Sequence, residues 1–174
     1  MSKKTSIIYL SITMCLGVLN HFIYDWFNFI IIGVVAPVNE SIFEHIKLVF
    51  YPFLLTIIVR FFFYFDKYYF YKAAVSSISG VIILPVIYYF FYIFFTPPAF
   101  LNILIFIFVC CLQEYIFYKL MNEESKYLLV GNAEGIIMIT VLVLAFSVFT
   151  FKPPHIELFR DPVTNTYGIY NEKN

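Results

Sequence analysis

The sequence predicts an all-α membrane protein, a bundle of about five transmembrane helices. Of its 174 residues, 62% are hydrophobic and 13% are charged, whereas a soluble domain carries roughly 25% charged residues. The mean hydropathy is +0.87. The apolar runs are continuous rather than alternating, which favours membrane helices over a transmembrane barrel. Eleven basic and eleven acidic residues balance without forming a basic face, so nucleic-acid binding is disfavoured.

Five apolar stretches are long enough to cross the hydrocarbon core, which takes roughly 20 residues of helix. They are predicted at about 6–24, 46–65, 73–95, 99–118 and 127–151, within a single polytopic domain of residues 1–174. Charged residues or prolines delimit them: Lys3 and Lys4 before the first, Asp66 and Lys67 after the second, Pro97 and Pro98 after the third, Lys119 after the fourth, and Lys152 after the fifth.

Two further segments are predicted outside the spans. The apolar stretch 27–38 is too short to cross the membrane and is broken by Gly33 and Pro37, so we expect a re-entrant or interfacial segment. Residues 152–174 follow the last span and open with a double proline. Apolar side chains such as Phe159 need cover there, so a folded C-terminal cap is expected.

The basic residues predict the orientation, because they accumulate on the cytoplasmic side. A cytoplasmic N-terminus places seven of them inside, namely Lys3, Lys4, Arg60, Lys67, Lys72, Lys119 and Lys126. It leaves four outside, namely Lys47, Lys152, Arg160 and Lys173. The prediction is therefore a multi-pass cell-membrane protein with an extracytoplasmic C-terminus. Membrane lipids are its expected partners, and no protein partner can be identified from the sequence.

This topology gathers a polar group at the outer face, including all three histidines. Its members are His21, Asp25, Asn39, Glu40, Ser41, Glu44, His45, Lys47, His155 and Asp161. His21, His45 and His155, together with Asp25, have the chemistry to bind a divalent metal such as zinc, with one position open for water. Glu40 or Glu44 would then transfer protons as catalytic carboxylates. We expect His21, Glu44 and His45 to lie within ligand distance of one another.

The same residues also fit a purely structural role. Asn39 or Ser41 can cap the helix that follows, and Ser41-x-x-Glu44 matches a capping box. No HExxH or similar metal signature is present, so the sequence leaves capping alone and a functional site that also uses the cap as open alternatives.

A second polar group is predicted toward the cytoplasm. Glu114 lies in the fourth span and Glu134 in the fifth, and the short segment joining the spans makes them antiparallel neighbours. The two carboxylates could share a proton or bind a cation. The alternative is that they reach the interface or pair with Arg60.

Several of these blocks resemble one known family. They are His21-Phe22-x-Tyr24-Asp25-Trp26, the run from Ala36 to Leu48 with its Asn39-Glu40-Ser41-x-x-Glu44-His45 core, and the tail Phe151-x-Pro153-Pro154 through Tyr167-Gly168. The chain resembles, over its whole length, the small bacterial membrane proteins of domain of unknown function 6512. That resemblance implies a bacterial membrane location and a helical fold, and it implies no reaction.

Three function classes remain. The first is a metal-assisted hydrolase or transferase acting on a membrane or extracytoplasmic substrate. The second is a small transporter or ion-binding protein, and the third is a non-catalytic assembly or signalling protein. No nucleophile elbow, phosphate loop or dinucleotide fingerprint is present, which disfavours the chemistry of soluble enzymes.

Overall fold

The computed structural model describes residues 1–94, 98–123 and 131–169 and the backbone of 172–173. In these residues the helices are α1 (Lys3–Phe27), α2 (Ile32–Val35), α3 (Ile42–Phe61), α4 (Tyr69–Tyr92), α5 (Ala99–Asn122) and α6 (Asn132–Phe151). A 3₁₀ turn (Glu157–Phe159) and two short strands, β1 (Thr166–Tyr167) and β2 (Glu172–Lys173), follow. All helices except α2 are long and apolar enough to cross a membrane. The predicted fold class is confirmed.

Several helix boundaries differ from those that the charged residues predicted, although α5 begins at Ala99 and α6 ends at Phe151 as expected. The side chain of Ser2 accepts a hydrogen bond from the Thr5 amide at 3.1 Å, so α1 already begins at Lys3. Lys72 lies inside α4 and pairs with Asp66, just before that helix. A helix can include a charged residue near its end when that charge is paired. Helix boundaries placed at charged residues are therefore displaced by several residues. The predicted boundaries at 95 and 127, together with Pro97 and Lys126, lie outside the described residues.

Helix α3 occupies the centre of the bundle. It packs against α1 and α4, while α4 also packs against α5 and α6. Buried aromatic side chains surround it in two clusters, one around Phe43, Phe50 and Phe146 and another around Phe53 and Phe117. The central position matters because α3 carries both Lys47 and Arg60, which are fully buried.

The predicted inner polar group separates into two structural pairs. Arg60 donates to both carboxylate oxygens of Glu114 at 2.9 Å, and Ser6 donates to Glu114 at 2.6 Å. Glu134 instead accepts a hydrogen bond from the Gly131 amide at 2.8 Å, at the beginning of α6. Glu114 and Glu134 therefore take different partners, and the geometry favours pairing with Arg60 over a shared cation site.

The tail folds back as a cap, as predicted. The ring of Phe159 lies 4.5 Å from Phe43 and 5.3 Å from Phe149, measured between centroids. Asp161 accepts hydrogen bonds from the Val163 amide at 2.9 Å and the Thr164 hydroxyl at 2.6 Å, which closes a tight turn. The antiparallel pairing of β1 with β2 was not predicted, because two-residue strands leave no alternating pattern in the sequence.

Candidate metal centre

One end of the bundle carries the predicted outer group, and we call it the histidine face. It is formed by the C-terminal ends of α1, α4 and α6 and by the N-terminal ends of α3 and α5. His21 lies near the end of α1, Glu40 in the connection to α3, and His45 in the first turn of α3. Three separate segments of the chain therefore supply the side chains described next.

His21, Glu40 and His45 converge at the histidine face. Each offers one ligand atom, and these atoms all lie within 4.8 Å of one another. Nε2 of His21 is 3.9 Å from one Glu40 oxygen, and Nε2 of His45 is 3.4 Å from the other. Ligands of a tetrahedral zinc with bonds of about 2.0–2.1 Å lie about 3.4 Å apart. Small side-chain movements would bring the three atoms, which we call the His–Glu–His group, to that spacing.

Both imidazoles turn Nε2 toward Glu40, and a hydrogen bond fixes the ring of His45 in this direction. Nδ1 of His45 lies 2.9 Å from the carbonyl oxygen of Ser41. A carbonyl only accepts, so Nδ1 carries the proton and Nε2 keeps its lone pair, the arrangement that metal-binding histidines use. Nδ1 of His21 is buried and makes no hydrogen bond within the described residues.

The beginning of α3 explains why Glu40 joins the group. Ser41 is the N-cap, and its hydroxyl accepts a hydrogen bond from the Glu44 amide at 3.3 Å. The Asn39 side chain accepts one from the Ser41 amide at 2.9 Å, which holds the preceding turn. Glu40 therefore lies outside the helix and Glu44 inside it. Capping and convergence use the same short segment, so the presence of the cap does not exclude a functional site there.

Glu44 lies in a separate, buried network. Its carboxylate contacts the Lys47 ammonium and accepts a hydrogen bond from the Val38 amide at 3.0 Å. Lys47 also donates to the Gly33 carbonyl at 2.7 Å and to the Thr150 hydroxyl at 2.6 Å. We expected Glu44 beside the histidines; the structure brings Glu40 there instead. The Lys47 network joins α2, α3 and α6.

The remaining predicted ligands lie outside the His–Glu–His group. Asp25 is exposed at the end of α1. The ring of His155 stacks on Tyr167 with centroids 4.5 Å apart and planes 17° apart. Asp161 is committed to its own turn. Among the described residues, none of the three contributes to the ligand group.

Two cavities meet at Glu40 and His45. The smaller, of about 180 Å³, lies between α4 and the tail and is lined by Leu84, Tyr88, Pro162 and Val163, among others. The larger, of about 400 Å³, lies between α1 and α5. The tail therefore borders the site through Pro162 and Val163, rather than through His155.

Asn102 is a site residue that the sequence analysis did not identify. It lines both cavities, in the first turn of α5, and its side chain is exposed. Its side-chain amide makes no hydrogen bond among the residues described. The sequence could have indicated Asn102, because it is the single residue with an amide or charged side chain between Ala99 and Leu112.

The comparisons with known proteins identify a family and add no chemistry. A family model described as "Family of unknown function (DUF6512)" matches residues 1–169. No curated protein and no solved structure matches the chain. Any function must therefore be argued from the histidine face itself.

Proposed function

The chain belongs to the family of unknown function DUF6512, which implies no reaction, and from its histidine face we propose a metal-dependent membrane hydrolase. The observation that carries this proposal is the convergence of His21, Glu40 and His45 from three segments. The excess of basic residues on the opposite face supports a bacterial membrane orientation with the histidine face outside the cytoplasm.

The donor set fits zinc. Two imidazoles and one carboxylate, with a fourth position left for water, form a common catalytic ligand set. The side chains of His21, His45 and Glu40 are 31%, 28% and 49% exposed, so water and substrate can reach the group. Zinc held in this way lowers the pKa of its water to about 7 and thereby supplies a nucleophile at neutral pH.

The residues of the site would have separate roles in the reaction. His21 and His45 would hold the metal, and the Ser41 carbonyl fixes the ring of His45. Glu40 would complete the ligand set, and its carboxylate would take up a proton from the attacking water. Water attacks the carbon or phosphorus of an ester, the bond to the leaving alcohol breaks, and the alcohol takes up the proton. The products are an acid and an alcohol.

Metal content tests the first part of the proposal. Protein purified in detergent and loaded with zinc should retain one ion per chain after dialysis. His21→Ala and His45→Ala should lose it, because each removes one of three ligands. His155→Ala is the matched control and should retain it, since His155 lies outside the group. Wild-type protein without bound metal would overturn the proposal and leave helix capping as the role of this segment.

Cobalt and an ester test the second part. Cobalt(II) in place of zinc should give visible bands that change when acetohydroxamic acid binds, because a catalytic site keeps an open position. The zinc protein should cleave p-nitrophenyl octanoate, and Glu40→Gln or a chelator should stop the reaction. Bands that do not respond to the hydroxamate, with no cleavage, would indicate a closed structural site and contradict the hydrolase proposal.

A further inference from the structure

An apolar groove leads from the His–Glu–His group into the membrane-spanning part of the bundle. It is the larger of the two cavities, of about 400 Å³, a size typical of small-molecule sites. Its walls are Val18 and Phe22 on α1 and Ala99, Ile103 and Phe106 on α5. Its inner end is at Gly17, about 6 Å along the helix axis from His21.

The groove is open toward the bilayer. The side chains of Val18, Phe22 and Ile103 are 55%, 46% and 59% exposed. They belong to helices that are apolar enough to span a membrane, so acyl chains rather than water meet this surface. The groove is thus continuous with the lipid-facing surface on one side and with the metal ligands at its end.

The floor of the groove is formed by close packing at Gly17. A Cβ atom at this position would lie 2.6 Å from the Phe106 ring and 2.8 Å from the Leu48 carbonyl oxygen. Without a side chain there, Phe106 and α3 approach α1 closely. The groove therefore has a packed apolar floor rather than a gap between loosely placed helices.

Polar and apolar groups are segregated along this groove. His21, Glu40, His45 and the amide of Asn102 lie together at the end near the histidine face, and the remaining lining is apolar. We propose that the substrate is a membrane amphiphile whose chain occupies the groove and whose ester linkage lies at the His–Glu–His group. This inference rests on the hydrolase proposal and specifies its substrate class. The side-chain amide of Asn102, which has no hydrogen-bond partner in the described part of the chain, would bind an oxygen of the head group.

A groove-blocking substitution tests this inference independently of catalysis. In cobalt-loaded protein in nanodiscs, we would titrate acetohydroxamic acid and octanohydroxamic acid and follow the cobalt bands. Val18→Trp should lower the affinity for octanohydroxamic acid about tenfold, which corresponds to the loss of roughly two buried methylene groups. Binding of acetohydroxamic acid should not change, since it places no chain in the groove. Ile103→Trp, on the opposite wall, should have the same effect.

Val141→Trp is the matched control. Val141 is 57% exposed on α6, outside the groove, so this variant reports any general effect of tryptophan or of ligand partitioning into lipid. It should bind both hydroxamates as the wild type does. Methylphosphonate and octylphosphonate form a parallel series. If the groove variants weaken binding of only the long-chain hydroxamate, the substrate is a carboxylic ester. If they weaken binding of only the long-chain phosphonate, it is a phosphoester.

The possible outcomes separate the two proposals. If neither ligand series shows chain-selective weakening in Val18→Trp and Ile103→Trp, the groove does not hold the chain and the lipid inference is wrong. The hydrolase proposal would survive that result, because cobalt and acetohydroxamic acid would still bind. If wild-type protein binds no cobalt, the hydrolase proposal itself fails.

Discussion

Lys47 places an ammonium group inside the bundle, where none of its side chain is exposed. Its three donors meet three acceptors, from Gly33, Glu44 and Thr150. A buried charge is stable only when it is paired and hydrogen-bonded in this way. This lysine therefore acts as a structural link between α2, α3 and α6, although the sequence analysis grouped it with the outer polar site.

Removal of the Lys47 charge should destabilise the protein strongly. Lys47→Met leaves the Glu44 carboxylate buried without its cation, which typically costs about 3–5 kcal/mol. Thermal unfolding in detergent measures the effect. Adding Glu44→Leu should restore part of the lost stability, because the unpaired carboxylate is then removed as well. Lys152→Met, at an exposed lysine, is the control, and equal melting temperatures for Lys47→Met and Lys152→Met would contradict this role.

Glu40 and Glu44 show how far the sequence could define the site. The sequence analysis offered either of them the same role, as a carboxylate that transfers protons. Ser41 divides them instead, because the N-cap leaves Glu40 in the preceding turn while Glu44 enters the helix. The cap was visible in the sequence, but the direction of Glu44 was not. That direction depends on Val38 and Lys47, which approach it only in the folded chain.

At the scale of elements, Phe159 is one of two buried aromatic residues of the C-terminal cap, with Tyr167, that join the core of the bundle. The ring of Phe159 is 6% exposed and packs between α3 and α6, against Phe43 and Phe149. The sequence predicted a cap because its apolar residues needed cover. It could not predict which of them would be buried, and Ile156, in the same segment, remains 54% exposed.

Phe159→Ala should detach the cap from the bundle. Truncation of a buried phenylalanine to alanine typically lowers the free energy of unfolding by about 3–5 kcal/mol. When the tail detaches, Pro162 and Val163 also leave the site. We expect a lower melting temperature in detergent and faster protease cleavage between residues 153 and 169. Ile156→Ala removes an exposed side chain and should change neither. Unchanged proteolysis of Phe159→Ala would show that other contacts hold the cap.

At the scale of the whole molecule, composition predicts the five spans but not their arrangement. The mean hydropathies of the long helices fall between 1.7 and 2.2, and α3, at 1.8, is not the highest. Yet 61% of the apolar stretch of α3 is buried inside the protein, against 22–33% for the corresponding stretches of the other long helices. Hydropathy cannot distinguish burial in protein from burial in lipid. The useful signal was Lys47 and Arg60, because charges within a span require a protein interior.

The orientation of the whole bundle remains a prediction. A reporter fused after Asn174 should be active only outside the cytoplasm, and one fused after Lys67 only inside, because basic residues accumulate on the cytoplasmic side. Fusions in both positions with two reporters of opposite compartment preference measure this directly. The reversed pattern would place the histidine face, and any substrate that reaches it, in the cytoplasm.

The buried charges of α3 also set an order of events during synthesis. Arg60 is neutralised by Glu114 in α5, and Lys47 is completed by Thr150 in α6. Both partners are translated after α3 has already reached the membrane. A nascent chain that ends at α4 already holds Lys47 paired with Glu44 of the same helix, but it carries Arg60 in its second span without Glu114, at a considerable insertion cost. A helix translated later, α5, therefore neutralises a charge that the second span brought into the membrane, and α6 adds the last acceptor of Lys47.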